Sequence, residues 1–355
     1  MEIAPQSFNF ETEFVLERGR SGQQAYGCVE QLNILKRSNR YLKVVLSIGG
    51  WNFSLNGRFA SAVSTDAKRA EFARSAVGLM KDWGFDGVDI DWEYPSSASE
   101  ADNYLSLLKV IRAELDAYAA KNELDYHFLL TAAVPAGPQH YGLLNLTEIA
   151  KVADTLNLMG YDYAGTFSTL SGHHANLYPN TRKPEATSFS TDKAVADYIA
   201  AGVPKGKLCL GMPAYGRSFD GTEGPGQPYV QPGTPKGKGN WETGTWDYKV
   251  LPKPGAKEIY DEAAGATYSY DPATKEMISY DTVEMLQRKL LYIKEKGMGG
   301  SMFWEASGDR NDSKSLIGAS FETLRPLKKK RNNLSYADSQ YTNIALDEKA
   351  ALKSN

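Results

Sequence analysis

Three observations predict an α/β fold built as a parallel barrel of the TIM (β/α)8 type. Apolar runs of strand length alternate with amphipathic helical patterns, four acids crowd the end of one such run, and the chain is 355 residues long. Strand-then-helix repeats imply a parallel sheet joined by right-handed crossovers. The alternative is a doubly wound open sheet. That fold often carries a G-x-G-x-x-G phosphate turn, and "SIGGW" (47–51) is not one.

The elements follow in order. "LKVVLSIGG" (42–50) reads as a buried parallel strand. A helix over 66–83 carries Phe72, Ala76, Leu79 or Met80, and Trp83 on its apolar stripe, and Gly84 stops it. The acidic strand begins at Phe85. A long helix over 99–121 follows through Tyr104, Leu108, Ile111, Leu115 and Tyr118. "HFLLTAAVP" (127–135) is a strand, "LTEIAKVA" (146–153) a short helix, "TLNLMGYDY" (155–163) a strand and "TDKAVADYIAAG" (191–202) a helix. "KLCLGMPAYG" (207–216) is a strand. A helix over 281–297 is opened by Asp281, with Glu284 three residues on, and closed by Gly297. "GGSMFWEA" (299–306) is the last strand and 313–324 the last helix.

These strands number six, whereas a closed barrel of this type has eight. Residues 1–40 form an atypical N-terminal segment, with one weak strand, "QSFNFE", and a helix near 24–38. The barrel is assigned to 41–216 and 281–327. The connection between them, 217–280, far exceeds the usual loop of roughly 2–6 residues. Its Tyr, Trp, Thr and Gly content and the hairpin pattern "ATYSYDPATKEMISY" predict an inserted α+β subdomain. Residues 328–355 read as a polar C-terminal tail.

Composition excludes several classes of function. The hydrophobic fraction is 42%, the charged fraction 23% and the net charge -3, so no polyanion partner such as nucleic acid is expected. Lys328, Lys329, Lys330 and Arg331 form the one basic run, read as solvated. Two cysteines make no disulfide framework, and four histidines without HExxH or a Cys/His cluster indicate no metal site. No run is long enough to span a bilayer. "MEIAPQSFNFETEF" lacks the basic start and apolar core of a signal peptide. Sequons begin at Asn52, Asn145, Asn311 and Asn333, and they matter only in a secreted chain.

The stretch "FDGVDIDWEYP" (85–95) carries the chemistry. In a strand alternate residues share a face, so Asp89, Asp91 and Glu93 line up at about 6–7 Å spacing while Val88, Ile90 and Trp92 face the helices. Asp86 has the opposite parity and a supporting place at the strand's entry. Mutual repulsion raises proton affinity in such a row, and its protons belong to the set. A neutral acid held at a barrel mouth can protonate a leaving group, which glycoside hydrolysis requires. Three buried acids matched by arginines or backbone donors would be the structural alternative. A Mg²⁺ site ranks third, since nothing cradles a phosphate.

The pattern Asp86-Gly-Val-Asp89-Ile-Asp91-Trp-Glu93 resembles the DxxDxDxE signature of family 18 glycoside hydrolases. "SIGG" (47–50), "MGYDYAG" (159–165), "GMPAYGRSF" (211–219) and "GGSMFWEAS" (299–307) are similar to further motifs of that family in the same order. The resemblance runs from about 24 to 345 and is strongest to fungal endochitinases. It implies a (β/α)8 barrel with an α+β insertion and its first two strands absent or replaced. It implies an endo-acting chitinase that cleaves β-1,4 bonds between N-acetylglucosamine units with retention, assisted by the substrate's own acetamido group. A non-catalytic chitin-binding lectin, an inactive chain on the same fold, or an endo-glucosaminidase acting on N-glycans are the alternatives.

The resemblance also implies roles residue by residue. Glu93 is the acid and later the base, Asp91 holds the acetamido N–H, Asp89 shares a proton with Asp91, and Tyr161 binds the acetamido oxygen. Trp304 is the floor beneath the reacting sugar. Asp162, Met159, Arg217, Phe167, Trp51 and Tyr94 are further contacts, as is Phe53, which stands where relatives often have a second Trp. The implied partners are chitin and chito-oligosaccharides, with no cofactor, nucleic acid or membrane, and the protein acts as a monomer. The family implies an extracellular enzyme. A truncated N-terminus would reconcile that with the missing signal peptide, and an intracellular enzyme is the alternative.

Overall fold

A computed structural model describes residues 24–230 and 242–345. The expected strand "QSFNFE" lies outside the described residues. The chain divides into two compact units. Of the described residues, 24–133, 143–154 and 327–345 belong to the first, and 134–142, 155–230 and 242–326 to the second.

The first unit runs through α1 (Gly27–Ser38), β1 (Val45–Gly49), α2 (Asp66–Asp82), β2 (Gly87–Asp91), α3 (Ala98–Lys121), β3 (Leu129–Pro135, its last two residues in the second unit) and α4 (Leu146–Val152). β1 pairs with β2 in parallel from Val45↔Gly87 to Gly49↔Asp91, and β2 pairs with β3 from Gly87↔Leu129 to Ile90↔Ala132. Val88 and Ile90 are fully buried on the side away from the acids, as the period of two requires. Side chains cap the helices at the sites that polar residues favour. Thr65 accepts from the Lys68 N–H, Ser97 from Glu100 and Asn145 from Glu148. Tyr104, Leu108, Ile111, Leu115 and Tyr118 of α3 are all buried.

The segment after 327, polar in composition, is not peripheral where it is described. Asn332, Asn333, Leu334, Tyr336 and Ile344 are buried. Asn332 donates to the Lys36 and Leu42 carbonyls at 2.9 and 2.7 Å, and the Tyr336 hydroxyl to the Phe85 carbonyl at 2.7 Å. The segment therefore acts as a strap across the entry to β2 and the loops beside α1.

In the second unit, β4 (Thr155–Met159), α5 (Thr191–Ala200) and β5 (Leu208–Pro213) continue the alternation. The chain then passes through β6 (Tyr215–Phe219), β7 (Thr245–Asp247), β8 (Lys257–Asp261), β9 (Ala266–Asp271) and β10 (Glu276–Ser279). It ends in α6 (Val283–Lys296), β11 (Gly300–Trp304) and α7 (Leu316–Leu324). β4 pairs with β5, and β5 with β11, in parallel. β6 to β10 form an antiparallel sheet in the order β7-β6-β10-β9-β8, and β9–β10 is the expected hairpin.

The sequence and the structure differ at three places here. "KLCLGMPAYG" is two strands in different sheets, broken at Ala214. The insertion was expected to be α+β, and its described residues hold strands and one 3-10 turn, Tyr248–Val250. The cap of α6 is Thr282, which accepts from the Met285 N–H at 3.2 Å. Asp281 is instead buried, 2.6 Å from the Lys289 ammonium. Among the described residues the parallel strands number six, β1 to β5 and β11, two fewer than the eight of a closed (β/α)8 barrel.

Candidate active site

The acid row occupies the C-terminal end of β2 in the first unit. Asp89 sits between two hydroxyls supplied by its register partners. Ser47 Oγ donates to Oδ2 at 2.7 Å, and Thr131 Oγ1 donates to Oδ1 at 2.5 Å. Asp91 is buried, and its Oδ1 has no hydrogen-bond partner among the described residues. Burial, then the charges of Glu93 and Asp89, push its carboxyl up to about 8, so it holds a proton at neutral pH. Glu93 is half-buried. Its backbone N–H donates to Ser54 Oγ at 2.9 Å, and its Oε2 accepts from the Tyr94 hydroxyl at 3.1 Å.

Backbone and aromatic contacts fix the strand end. The Gly50 N–H donates to the Asp91 carbonyl at 2.8 Å. Gly49, at φ 128°, approaches so closely that a Cβ there would fall 1.9 Å from that carbonyl oxygen, so only glycine fits. Behind the acids, Trp92 stacks on Phe59 at 4.9 Å and meets Tyr104 edge-on at 5.9 Å. Phe53, expected in the binding surface, packs edge-on against Phe59 at 5.5 Å and extends this cluster. Trp51 is 57% exposed on the turn after β1, free to stack on a ligand.

Asp86 lies just before β2. It is fully buried and accepts from Lys36 at 2.9 Å, the Val44 N–H at 2.8 Å, the Tyr126 hydroxyl at 2.8 Å and the Asn333 N–H at 2.9 Å. Burial brings the Lys36 ammonium down to about 8 despite the attraction of Asp86.

The second unit holds another cluster. Asp162, at φ 58°, follows the end of β4. It accepts from the Tyr215 hydroxyl at 2.7 Å and from Arg217 Nε and Nη2 at 2.9 and 2.8 Å. Burial would raise its carboxyl, but His174 and the Arg217 guanidinium win and hold it well below the usual carboxylate range. Its side chain is still 37% exposed, so a permanently ionised acceptor faces solvent. Tyr161 directs its hydroxyl to Met302 Sδ at 3.9 Å and lies 6.1 Å from the Tyr215 ring. Met159 is buried beneath. Arg217 is buried and also donates to Glu242 and, at 2.7 Å, to Thr245 Oγ1. Trp304 and Phe167 are 48% and 64% exposed, unlike core aromatics of their size.

Asp89 and Asp91 thus share the end of β2 with Glu93 two residues on, and Tyr161, Asp162 and Arg217 lie in a second cluster. Ser47, Thr131, Ser54, Tyr215, His174, Glu242 and Met302 were not anticipated. Ser47 and Thr131 could have been found as small hydroxyl residues level with Asp89 on flanking strands. Nothing local marks His174 or Glu242. Among the described residues no group of acids, histidines or cysteines could hold a metal ion, and no helix is long and apolar enough to cross a membrane.

A parallel α/β fold that carries three acids at period two on one strand end, with exposed aromatics at others, defines a carbohydrate-active barrel. The pattern of glycosyl hydrolases family 18 matches residues 9–309, and the chain belongs to that family. It is 53% identical over 323 residues to chitinase 1 of Aphanocladium album, a match covering 91% of this chain and 75% of that protein. Endochitinase 1 of Metarhizium robertsii matches to the same extent. Among solved structures, the fold is similar to chitinase ChiA74 from Bacillus thuringiensis, with a TM-score of 0.80 and 32% identity. That match covers 90% of this chain and 57% of the other.

Proposed function

We propose that the protein is a chitinase that hydrolyses internal β-1,4 bonds between N-acetylglucosamine units, with retention of configuration. The observation that carries this reading is the acid row, in which Asp91 is buried, lacks a partner on Oδ1 and keeps a proton at neutral pH beside Asp89 and Glu93. Glu93 protonates the leaving oxygen. The substrate's 2-acetamido oxygen attacks the anomeric carbon and forms an oxazolinium ion, an exception to the scheme with two carboxylates. Asp91 passes its shared proton to Asp89, and its carboxylate then accepts the acetamido N–H and offsets the positive charge that develops. Glu93, now a carboxylate, takes a proton from the water that opens the ring. Tyr161 binds the acetamido oxygen, and Asp162, held ionised by Arg217, accepts a sugar hydroxyl. Trp304, Trp51 and Phe167 offer faces to the C–H surfaces of sugars. The enzyme acts outside the cell as a monomer on chitin and chito-oligosaccharides.

Hydrolysis of a fluorogenic chitotrioside by the parent and by Glu93→Gln tests this. The parent should turn over, and the variant should lose at least about 100-fold in kcat while it still binds the oligosaccharide. Hydrolysis by Glu93→Gln at the parental rate would sink the assignment of the acid. Six parallel strands among the described residues favour one competing reading, a chain with the site residues but no turnover. A folded parent that binds chito-oligosaccharides without cutting them would establish it.

A further inference from the structure

We propose that Thr131 is a positioning residue, which holds the ionised carboxylate of Asp89 and so leaves the proton of the acid row on Asp91. The argument starts from the register. Ser47, Asp89 and Thr131 are level on three adjacent parallel strands, so their side chains project to the same face. The two carboxylate oxygens of Asp89 are taken by different hydroxyls. Oδ2 belongs to Ser47 and Oδ1 to Thr131, and the Thr131 contact is the shorter at 2.5 Å. Oxygen donors that short to a carboxylate are charge-assisted bonds, and they favour the ionised acceptor.

Two residues further along, Asp91 Oδ1 receives no such bond and is shut away from water. Of two like acids about 6–7 Å apart, the proton goes to the one whose charge is less well satisfied. Among the described residues, the titratable groups that act on Asp91 do not reverse this order. Glu93, two residues past the end of β2, acts on Asp91 in the same direction as Asp89 does. Tyr104 of α3 sits behind the row, its hydroxyl buried and its phenol pushed up by burial and by both aspartates, so it stays neutral. The flanking strands bring the uncharged Ser47 and Thr131.

β-Branching suits Thr131 to this task. Its stiff χ1 fixes the hydroxyl at a half-buried position. The inference deepens the reading given above, because it sets where the proton shared by Asp89 and Asp91 rests before the substrate's acetamido group arrives. Its test does not need turnover.

The experiment is a ¹³C NMR titration of the aspartate carboxyls in the parent, Thr131→Val and Thr131→Ser, with Asp89→Asn and Asp91→Asn used to assign the signals. In Thr131→Val the Asp89 midpoint should rise by about one pH unit and the Asp91 midpoint should fall, because one charge-assisted bond is lost. Thr131→Ser, which keeps the donor, should titrate as the parent does. Chitotrioside kinetics should then show the acid limb of kcat/KM moved up in the valine variant, with KM unchanged. Unchanged Asp89 and Asp91 midpoints in a folded valine variant would overturn the proposal. So would a raised KM with the parental pH profile, which would make Thr131 a substrate contact. Should Thr131→Val fail to fold, Thr131→Ala removes the same donor with less bulk, and the same two midpoints decide. A parent that titrates as expected yet does not hydrolyse chitotrioside would refute the functional reading and leave this one standing.

Discussion

Asp86 should tolerate the loss of Lys36 better than Lys36 tolerates the loss of Asp86. Both side chains are fully buried at 2.9 Å. In Lys36→Met, the Asp86 carboxylate keeps the Val44 N–H, the Asn333 N–H and the Tyr126 hydroxyl, and Tyr126 is itself held by Lys43 at 2.6 Å. The Gly84 carbonyl loses one donor. A cost of about 1–3 kcal/mol follows. In Asp86→Leu the ammonium stays buried without its anion and three further donors lose their acceptor, which costs about 3–5 kcal/mol or more. Urea unfolding followed by tryptophan fluorescence and far-UV circular dichroism measures both, and coincident transitions would license a free-energy reading. The pH dependence gives a second check. Burial lowers the folded Lys36 to about 8, below its ordinary value of 10.5, so between these limits the unfolded chain binds more protons. The stability of the parent relative to Lys36→Met should therefore rise across that window, by on the order of 1–3 kcal/mol. If Lys36→Met proves as damaging as Asp86→Leu, or the difference stays flat with pH, the account of this pair is wrong.

Two further outcomes test the site itself. Asp91 has its folded carboxyl raised to about 8, so its contribution is fully present below the unfolded value and is lost as pH rises through 8. Asp91→Asn should match the parent near pH 4 and exceed it in stability by about 1–3 kcal/mol at pH 8, while activity falls; thermal melts at the two pH values would show a stability gap of constant size if the burial argument fails. Gly211→Ala places a Cβ 2.5 Å from the Leu158 carbonyl oxygen, 2.7 Å from Met302 Cε and 3.0 Å from the Tyr161 ring. It should cost about 1–3 kcal/mol and at least about 10-fold in kcat/KM by displacing Tyr161, and parental kinetics would show that the tyrosine has room to move.

How much was legible in the sequence depended on the range of the interactions. The acid row could be read because a strand's period of two is local, and α2, α3 and α5 because their stripes are local too. The break at Ala214 could not, since "KLCLGMPAYG" is continuously apolar and only the partner strands decide that Tyr215–Phe219 leaves for another sheet. Asp281 looked like a cap because Asp is a good one. Lys289, two turns along α6, buries it, and the cap passes to Thr282. The polarity of 328–345 was real, but the Asn332 and Asn333 amides and the Tyr336 hydroxyl donate to carbonyls and the Asn333 backbone N–H to Asp86, so polar composition did not mean solvent exposure.

Along β2 the acids are satisfied to a decreasing degree, and this gradient joins stability to function. Asp86, at the strand's entry, takes four donors, among them Lys36 and the strap's Asn333. Asp89 takes hydroxyls from Ser47 and Thr131. Asp91 Oδ1 takes none among the described residues. A sequence selected for stability alone would replace the least satisfied buried acid with an apolar residue, because an unpaired buried carboxylate opposes folding. Keeping it requires that the strand be anchored by other contacts, and these are the donors on Asp86 and Asp89 at one end and the Gly50 N–H and the Trp92 ring cluster at the other. The strap therefore matters to the chemistry although it lies at the far end of the strand. It holds the strand whose last residue, Asp91, keeps one carboxylate oxygen unpaired among the described residues, and in the function proposed above a substrate supplies that partner.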